Sequence, residues 1–190
     1  MKILGISGSP RIGGNSEVLL DRALEGAASN GAECEKIVLE KLEFSPCRER
    51  EYEEVDDKGL SPINDDIHIV YRKIQSSDGL ILASPIFFGS LSAQTKMMID
   101  RFQCVWVAKN VLNIDVFTKK IKGAFICAEA TERKDFFENA RAIVRNFFKT
   151  INAGYEEELL CTGVDKKGSV LGKPDMLDKA FELGKKLVEG

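Results

Sequence analysis

Short apolar runs alternate with stretches of helical periodicity from one end of this chain to the other, and few architectures can absorb that pattern. Residues 2–6, 35–39, 79–83, 123–128 and 155–161 read as strands, and residues 17–28, 64–75, 92–109, 135–150 and 174–188 read as helices. The runs at 79–83 and 123–128 are apolar throughout, as a strand buried on both faces requires. Glu156, Glu157 and Glu158 weaken the last run and mark it as a sheet edge. Strands and helices in strict alternation predict a three-layer α/β domain, with a five-stranded parallel sheet and helices on both faces. No internal repeat or linker interrupts the pattern, so residues 1–190 read as a single domain. Residues 43–62, rich in charge and turn formers, predict a long functional loop.

The composition is that of a soluble globular protein: of 190 residues, 44% are hydrophobic and 30% charged. With 27 basic and 30 acidic residues, a net charge of −3 and no basic tract, nucleic acid is not an expected partner. No apolar run is long enough to span a membrane, and the chain opens on a strand rather than a signal peptide; a cytoplasmic location is expected, with no membrane partner. Cys34, Cys47, Cys104, Cys127 and Cys161 are widely spaced and lack any C-x-x-C, so no disulfide framework or complete metal site is written locally. Cys104, Cys127 and Cys161 lie among apolar residues and read as core. Cys47 sits in the polar loop, as either an inert or a redox-reactive thiol.

The first strand runs straight into Ser7, Gly8, Ser9, Pro10, Arg11, Gly13, Gly14, Asn15 and Ser16, after which a helix begins. A helix N-terminus has unpaired N–H groups and a partial positive charge, which makes it a site for an anion. Ser7, Ser9, Asn15 and Ser16 add side-chain donors, and Arg11 adds a permanent charge. The dinucleotide pattern G-x-G-x-x-G is absent. The P-loop fails too, because Gly14 and Asn15 stand where Lys and Ser or Thr should follow Gly13. A single terminal phosphate, as on flavin mononucleotide (FMN), fits better than a triphosphate. The plainer reading is a capped helix without ligand, with Asn15 or Ser16 as cap and Glu17 complementing the dipole.

In a sheet ordered 2-1-3-4-5, the loop after strand one lies beside the loop after strand three, and ligands bind at that switch point. The second loop must then also look like a binding loop. It reads Ser84-Pro85-Ile86-Phe87-Phe88-Gly89-Ser90. Pro85 is expected to end the strand, Gly89 to let backbone approach a flat ligand, and two adjacent aromatics to be covered by one. An isoalloxazine ring offers a π face and a polar edge to such a loop. The alternative is that Phe87 and Phe88 plug the end of the sheet.

GSPRIGGNS together with SPIFFGSLSAQTKMMIDR resembles the NADPH-dependent FMN reductase family of the flavodoxin-like superfamily, in the branch that contains the iron–sulfur flavoproteins. Asp78-Gly79 and the segment AFELGKKL at 180–187 carry the resemblance further. It implies phosphate contacts from Ser9, Arg11, Asn15 and Ser16, and isoalloxazine contacts from Pro85, Ile86, Phe87, Phe88 and Gly89. A third loop, residues 128–132, should face the other side of the flavin. The resemblance also implies NAD(P)H as co-substrate, and electron transfer through FMN to a quinone, a flavin, a metal ion or a redox protein, with no catalytic side chain required. Partner surfaces in such proteins imply a homodimer or homotetramer. The iron–sulfur branch carries a compact cysteine cluster after a segment like Phe44-Ser45-Pro46-Cys47; here only Cys47 remains, and a cluster needs about four thiolates. The chain therefore reads as a member without a metal centre.

Two rival readings stand beside the reductase. One is a non-enzymatic FMN electron carrier, although a net charge of −3 is far from the strong acidity of flavodoxins. The other is a flavin-free receiver-like module, which would want an aspartate where Ser84-Pro85 stands. His68 reads as a surface residue, Met97 and Met98 as core or subunit contacts, and Asp100-Arg101 as a salt bridge or subunit contact.

Overall fold

A computed structural model describes residues 1–48 and 55–189; residues 49–54 of the long loop lie outside the described residues. The elements run β1 (Lys2–Ser7), α1 (Asn15–Ser29), β2 (Glu33–Val38), α2 (Ile67–Ser76), β3 (Gly79–Phe87) and β4 (Ser90–Leu91). They continue through α3 (Ala93–Asp100), α4 (Gln103–Asn110), β5 (Ile121–Ala128), α5 (Phe136–Thr150), β6 (Ala153–Cys161) and α6 (Pro174–Glu189). The parallel strands lie in the order β2-β1-β3-β5-β6, which is the predicted 2-1-3-4-5 arrangement, with β6 at an edge as its glutamates require. One strand was not expected: the two-residue β4 folds back antiparallel on the end of β3 and makes the sheet six-stranded.

Pro85 does not end β3. The strand continues through it, with Pro85 opposite Ala128 of β5. The reason lies in the alternation of the ladder. The Ala83 carbonyl accepts from the Gly8 N–H at 2.8 Å, so Pro85, two residues on, turns its missing N–H to the same side, where β1 has already ended in a loop.

The sheet separates two apolar layers. On one face, α1 and α6 cover small residues such as Ala83 and Ala124. On the other, α2, α4 and α5 enclose an aromatic core in which Tyr71 and Phe102, and Phe102 and Phe147, meet edge to face at 4.8 and 4.9 Å. Cys127 and Cys161 are buried, as expected, and Cys104 is half-buried. His68 is also half-buried rather than on the surface; its ring lies 3.0 Å from the Ile63 carbonyl and edge-on to Tyr71.

The α1–α6 contact is close enough to exclude a side chain. A Cβ on Gly26 would stand 1.9 Å from the Phe181 carbonyl oxygen, and one on Gly184 would stand 1.8 Å from that of Ala23. Backbone meets backbone there.

The helix expected over 92–109 breaks in two at Arg101-Phe102, and the break has a purpose. Arg101 is 2% exposed, and its guanidinium donates to the Ser45 carbonyl (2.9 Å), the Ser61 hydroxyl (2.8 Å) and the Asp65 carboxylate (2.6 Å). The ion pair anticipated for Arg101 is thus internal and fastens both described ends of the long loop. Burial pushes the Asp65 carboxyl up, but the Arg101 bond and charge, with the Ser45 N–H, outweigh it and hold the group below its ordinary value.

Two outcomes are expected. Gly184→Ala should lower the melting temperature by roughly 5–10 °C in calorimetry, from an overpacking cost of about 2–3 kcal/mol. Asp65→Asn should be less stable than the parent above about pH 4, because a depressed carboxyl pKa stabilises the fold only while the unfolded chain's Asp is ionised. Urea denaturation from neutral to about pH 2.5 should show the two proteins converging as the acid protonates Asp65.

Candidate functional site

Four loops at the carboxyl ends of β1, β3, β5 and β6 surround a cleft of about 490 Å³, a volume suited to a cofactor. The first gathers the donors that an anion would need. The Ser9 hydroxyl accepts from the Arg11 N–H at 3.1 Å and lies 3.0 Å from the Arg11 carbonyl, while Gly13 turns through φ +70°. The helix cap is Gly14, not Asn15 or Ser16, and no side chain caps it. The N–H groups of Asn15, Ser16 and Glu17, the first turn of α1, therefore have no partner among the described residues. Ser16 is 1% exposed, and its hydroxyl is one of three buried side-chain polar atoms without a hydrogen bond among the described residues; Ser7 and Glu129 supply the others. Orphaned buried donors beside a cleft are what a bound ligand would satisfy.

Glu17 shapes the cradle rather than merely complementing a dipole. Its carboxylate accepts from the Gly13 N–H at 2.8 Å and from Lys36 at 2.9 Å, and Lys36 also reaches Asp21 at 2.6 Å. Burial pushes the Glu17 carboxyl up, yet the Lys36 and Gly13 bonds prevail and hold it below its ordinary value. Asn15 is placed beside the cleft, but its side chain faces elsewhere. Its amide donates to the carbonyls of Val164 (3.1 Å) and Lys166 (3.0 Å) and to the Ser169 hydroxyl (3.3 Å), and its oxygen accepts from the Val170 N–H (3.2 Å). That carboxamide is engaged with the loop after β6, whereas the sequence reading turned it toward a phosphate.

A buried knot of hydroxyls ties the first loop to the second. Ser92, which caps α3, donates to the Gly8 carbonyl at 2.5 Å and meets Thr95 Oγ1 at 2.8 Å, while Ser84 Oγ lies 3.1 Å from Thr95 Oγ1. A Cβ on Gly8 would fall 1.8 Å from that threonine oxygen.

The second loop is a tight hairpin. Ile86 pairs with Leu91 and Phe87 with Ser90, so Phe88 and Gly89 form a two-residue turn, with φ +51° and +74°. Phe88 is fully exposed and Phe87 is 39% exposed. A non-glycine residue in the left-handed region with its aromatic ring in water bears two costs at once. Asn139 of α5 holds the turn by donating to the Gly89 carbonyl at 3.1 Å. Pro85, Ile86, Phe87 and Phe88 line the cleft, whereas Gly89 serves the turn and stands outside the lining.

The third loop lies where it was expected, with Glu129, Ala130 and Thr131 on the wall. Glu129 is 3% exposed; one of its oxygens accepts from the Thr131 hydroxyl at 2.5 Å and the other is unpartnered. Phe136, under the Arg133 guanidinium at 4.1 Å, closes that side. Sequence reasoning missed Phe136 and the fourth loop, whose Val164, Asp165 and Lys167 also line the cleft. The signal was available: Thr162-Gly163-Val164-Asp165-Lys166-Lys167-Gly168 follows the last strand, at the same sheet end as the other three loops.

Residues 1–149 match the family described as NADPH-dependent FMN reductase. Across its full length the chain is 35% identical to an iron–sulfur flavoprotein of Methanocaldococcus jannaschii, covering 96% of it. Among solved structures, it superposes on an NAD(P)H:quinone oxidoreductase from Methanothermobacter marburgensis with a TM-score of 0.68 at 21% identity, covering 98% of this chain and 94% of that one. It superposes on a flavodoxin from the domain Archaea with a TM-score of 0.60 at 11% identity, covering 100% and 97%. These last two likenesses concern the fold. The unpaired first turn, the aromatic hairpin and the match over residues 1–149 agree: the chain belongs to the NADPH-dependent FMN reductase family, with a flavodoxin-like fold.

Proposed function

We propose that this protein holds FMN in the four-loop cleft and acts as an NAD(P)H-dependent oxidoreductase. One juxtaposition carries the reading: three unpaired N–H groups and an orphaned serine hydroxyl at one end of the cleft, and a strained, exposed aromatic hairpin at the other. The first end suits a phosphate and the second a flat ring. In this assignment the 5′-phosphate is met by the Asn15, Ser16 and Glu17 amides, the Ser9 and Ser16 hydroxyls and the Arg11 side chain. Pro85, Ile86, Phe87 and Phe88 carry the ring. The amides of Phe88 and Gly89, unpaired among the described residues, can donate to its polar edge. FMN held there would supply the redox chemistry, hydride acceptance from a reduced nicotinamide and electron transfer to a quinone, flavin, metal ion or redox protein. The protein's own part is to bind, orient and polarise, and the reaction requires no side-chain acid or base.

An iron–sulfur cluster does not fit. Cys47 is the one cysteine between residues 43 and 62, and no group of three or more His, Cys, Asp or Glu residues suited to a metal exists among the described residues. No helix among the described residues is long and apolar enough to cross a membrane, and we place the activity in the cytoplasm. Half-exposed Trp106 on α4 is the anchor we expect in a homodimer or homotetramer.

Purified protein titrated with FMN should quench the flavin's fluorescence at one site per chain, and NADPH or NADH added without oxygen should bleach the flavin band near ~450 nm. FMN binding without bleaching by either nicotinamide would favour the electron-carrier reading, and no FMN binding would overturn the proposal. Phe88→Gly separates stability from function: relief of the left-handed backbone should leave the melting temperature unchanged or higher, while FMN affinity falls about three- to tenfold with the lost aromatic contact.

A further inference from the structure

The loop after β6 is folded back on the phosphate cradle and fastened there. Asn15 engages it at Val164, Lys166, Ser169 and Val170, and Arg11 donates to the Asp165 carbonyl at 3.2 Å. These bonds join positions some 150 residues apart in sequence (|i−j| 149 to 155) and leave Asn15 only 8% exposed. What they deliver to the cradle is Lys167. Its side chain crosses Gly13 so closely that a Cβ there would lie 3.3 Å from the Lys167 Cε and 3.6 Å from Nζ. The ammonium group takes part in no hydrogen bond or ion pair among the described residues, and Lys167 lines the cleft together with Ser9, Arg11 and Ser16. A P-loop would place its own lysine directly after Gly13, where this chain has Gly14.

We propose that residues 162–168 form a phosphate clasp, in which Asn15 is a positioning residue and Lys167 pairs with the terminal phosphate of the ligand. The inference rests on the FMN reading and deepens it. A phosphomonoester carries close to two negative charges at neutral pH, whereas a helix N-terminus offers only about half a positive charge. The cradle alone therefore leaves the anion undercompensated, the more so because the ionised Glu17 lies directly behind it. Lys167 and Arg11 close that gap from the solvent side. The clasp makes the site selective for a phosphorylated flavin over the same flavin without its phosphate.

The test compares FMN and riboflavin, by fluorescence titration at low and high salt, on the whole protein. Lys167→Met should weaken FMN about tenfold, as expected for one charge-assisted bond, with riboflavin unchanged within about twofold. It should also flatten the salt dependence of FMN binding, and Lys167→Arg should restore most of the loss. Asn15→Ala should weaken FMN alone and, without any flavin present, speed hydrogen exchange at the Val170 amide. Since Lys167 is exposed, its variants test the pairing even if Asn15→Ala fails to fold. A parent that binds FMN as before, with Lys167→Met equally tight for FMN or equally weakened for both flavins, would overturn the clasp and leave the FMN reading standing. Unchanged exchange at Val170 in Asn15→Ala would overturn the positioning role. A parent that binds neither flavin would overturn the FMN reading itself.

Discussion

The site depends on a few buried hydroxyls where the pairing of β1 with β3 stops. Ser92 closes on the Gly8 carbonyl, Thr95 sits against the position where Gly8 has no side chain, and Ser84 joins both. Side by side in the sheet, the two strands would deliver their loops close together in any case, but sheet pairing stops at Ser7 and Ala83. Beyond that point the knot fixes the distance between the anion end and the aromatic end of the cleft. All its members are buried and mutually bonded, so removing one partner leaves the others unpaired in a dry interior, a cost of about 1–3 kcal/mol for each group. A larger residue at position 8 would push the cradle off the strand that orients it.

The parallel sheet was legible in the sequence for a physical reason: strands buried on both faces must be apolar along their whole length, so residues 79–83 and 123–128 admit no other reading. The strand order 2-1-3-4-5 demanded that two loops converge, and residues 84–90 met that demand. What escaped was decided by partners distant in sequence. The helix over 92–109 keeps its periodicity through Arg101, yet splits where the Arg101 carbonyl accepts from the Tyr71 hydroxyl and its guanidinium reaches Ser45, Ser61 and Asp65. Pro85 looks like a strand terminator until the end of β1 is known to leave its missing N–H without a ladder partner. Asn15 has the composition of a phosphate ligand, but its carboxamide is drawn off by a loop that local sequence cannot place beside it. In each case residue type was informative, and the identity of the partner was not.

Arg101 and Asn15 solve the same problem at two separate places in the fold. Each is a planar polar group with several donors, and each holds a long connection whose own backbone lacks regular pairing. The loop bearing Cys47 is held by Arg101 through one carbonyl, one hydroxyl and one carboxylate. A guanidinium buried this deeply would be costly alone, and the Asp65 carboxylate neutralises it. The described ends of that loop are thus secured without thiolate ligands, which agrees with a chain that has one cysteine there.

The two ends of the cleft differ in how they carry unfavourable energy. At the cradle, the unpaired amides of α1 and the Ser16 hydroxyl are polar groups awaiting an acceptor. At the hairpin, Phe88 combines a left-handed backbone with an aromatic ring in water. Both are defects if the fold is considered alone, and neither is forced by it. A glycine at position 88 would suit the turn better, and a serine or aspartate in place of Gly14 would cap the helix. Groups that destabilise the fold while converging on one cleft agree with the ligand proposed for it. A ligand with an anion at one end and a flat ring at the other relieves both together. The molecule's strain therefore gives the same answer as its family.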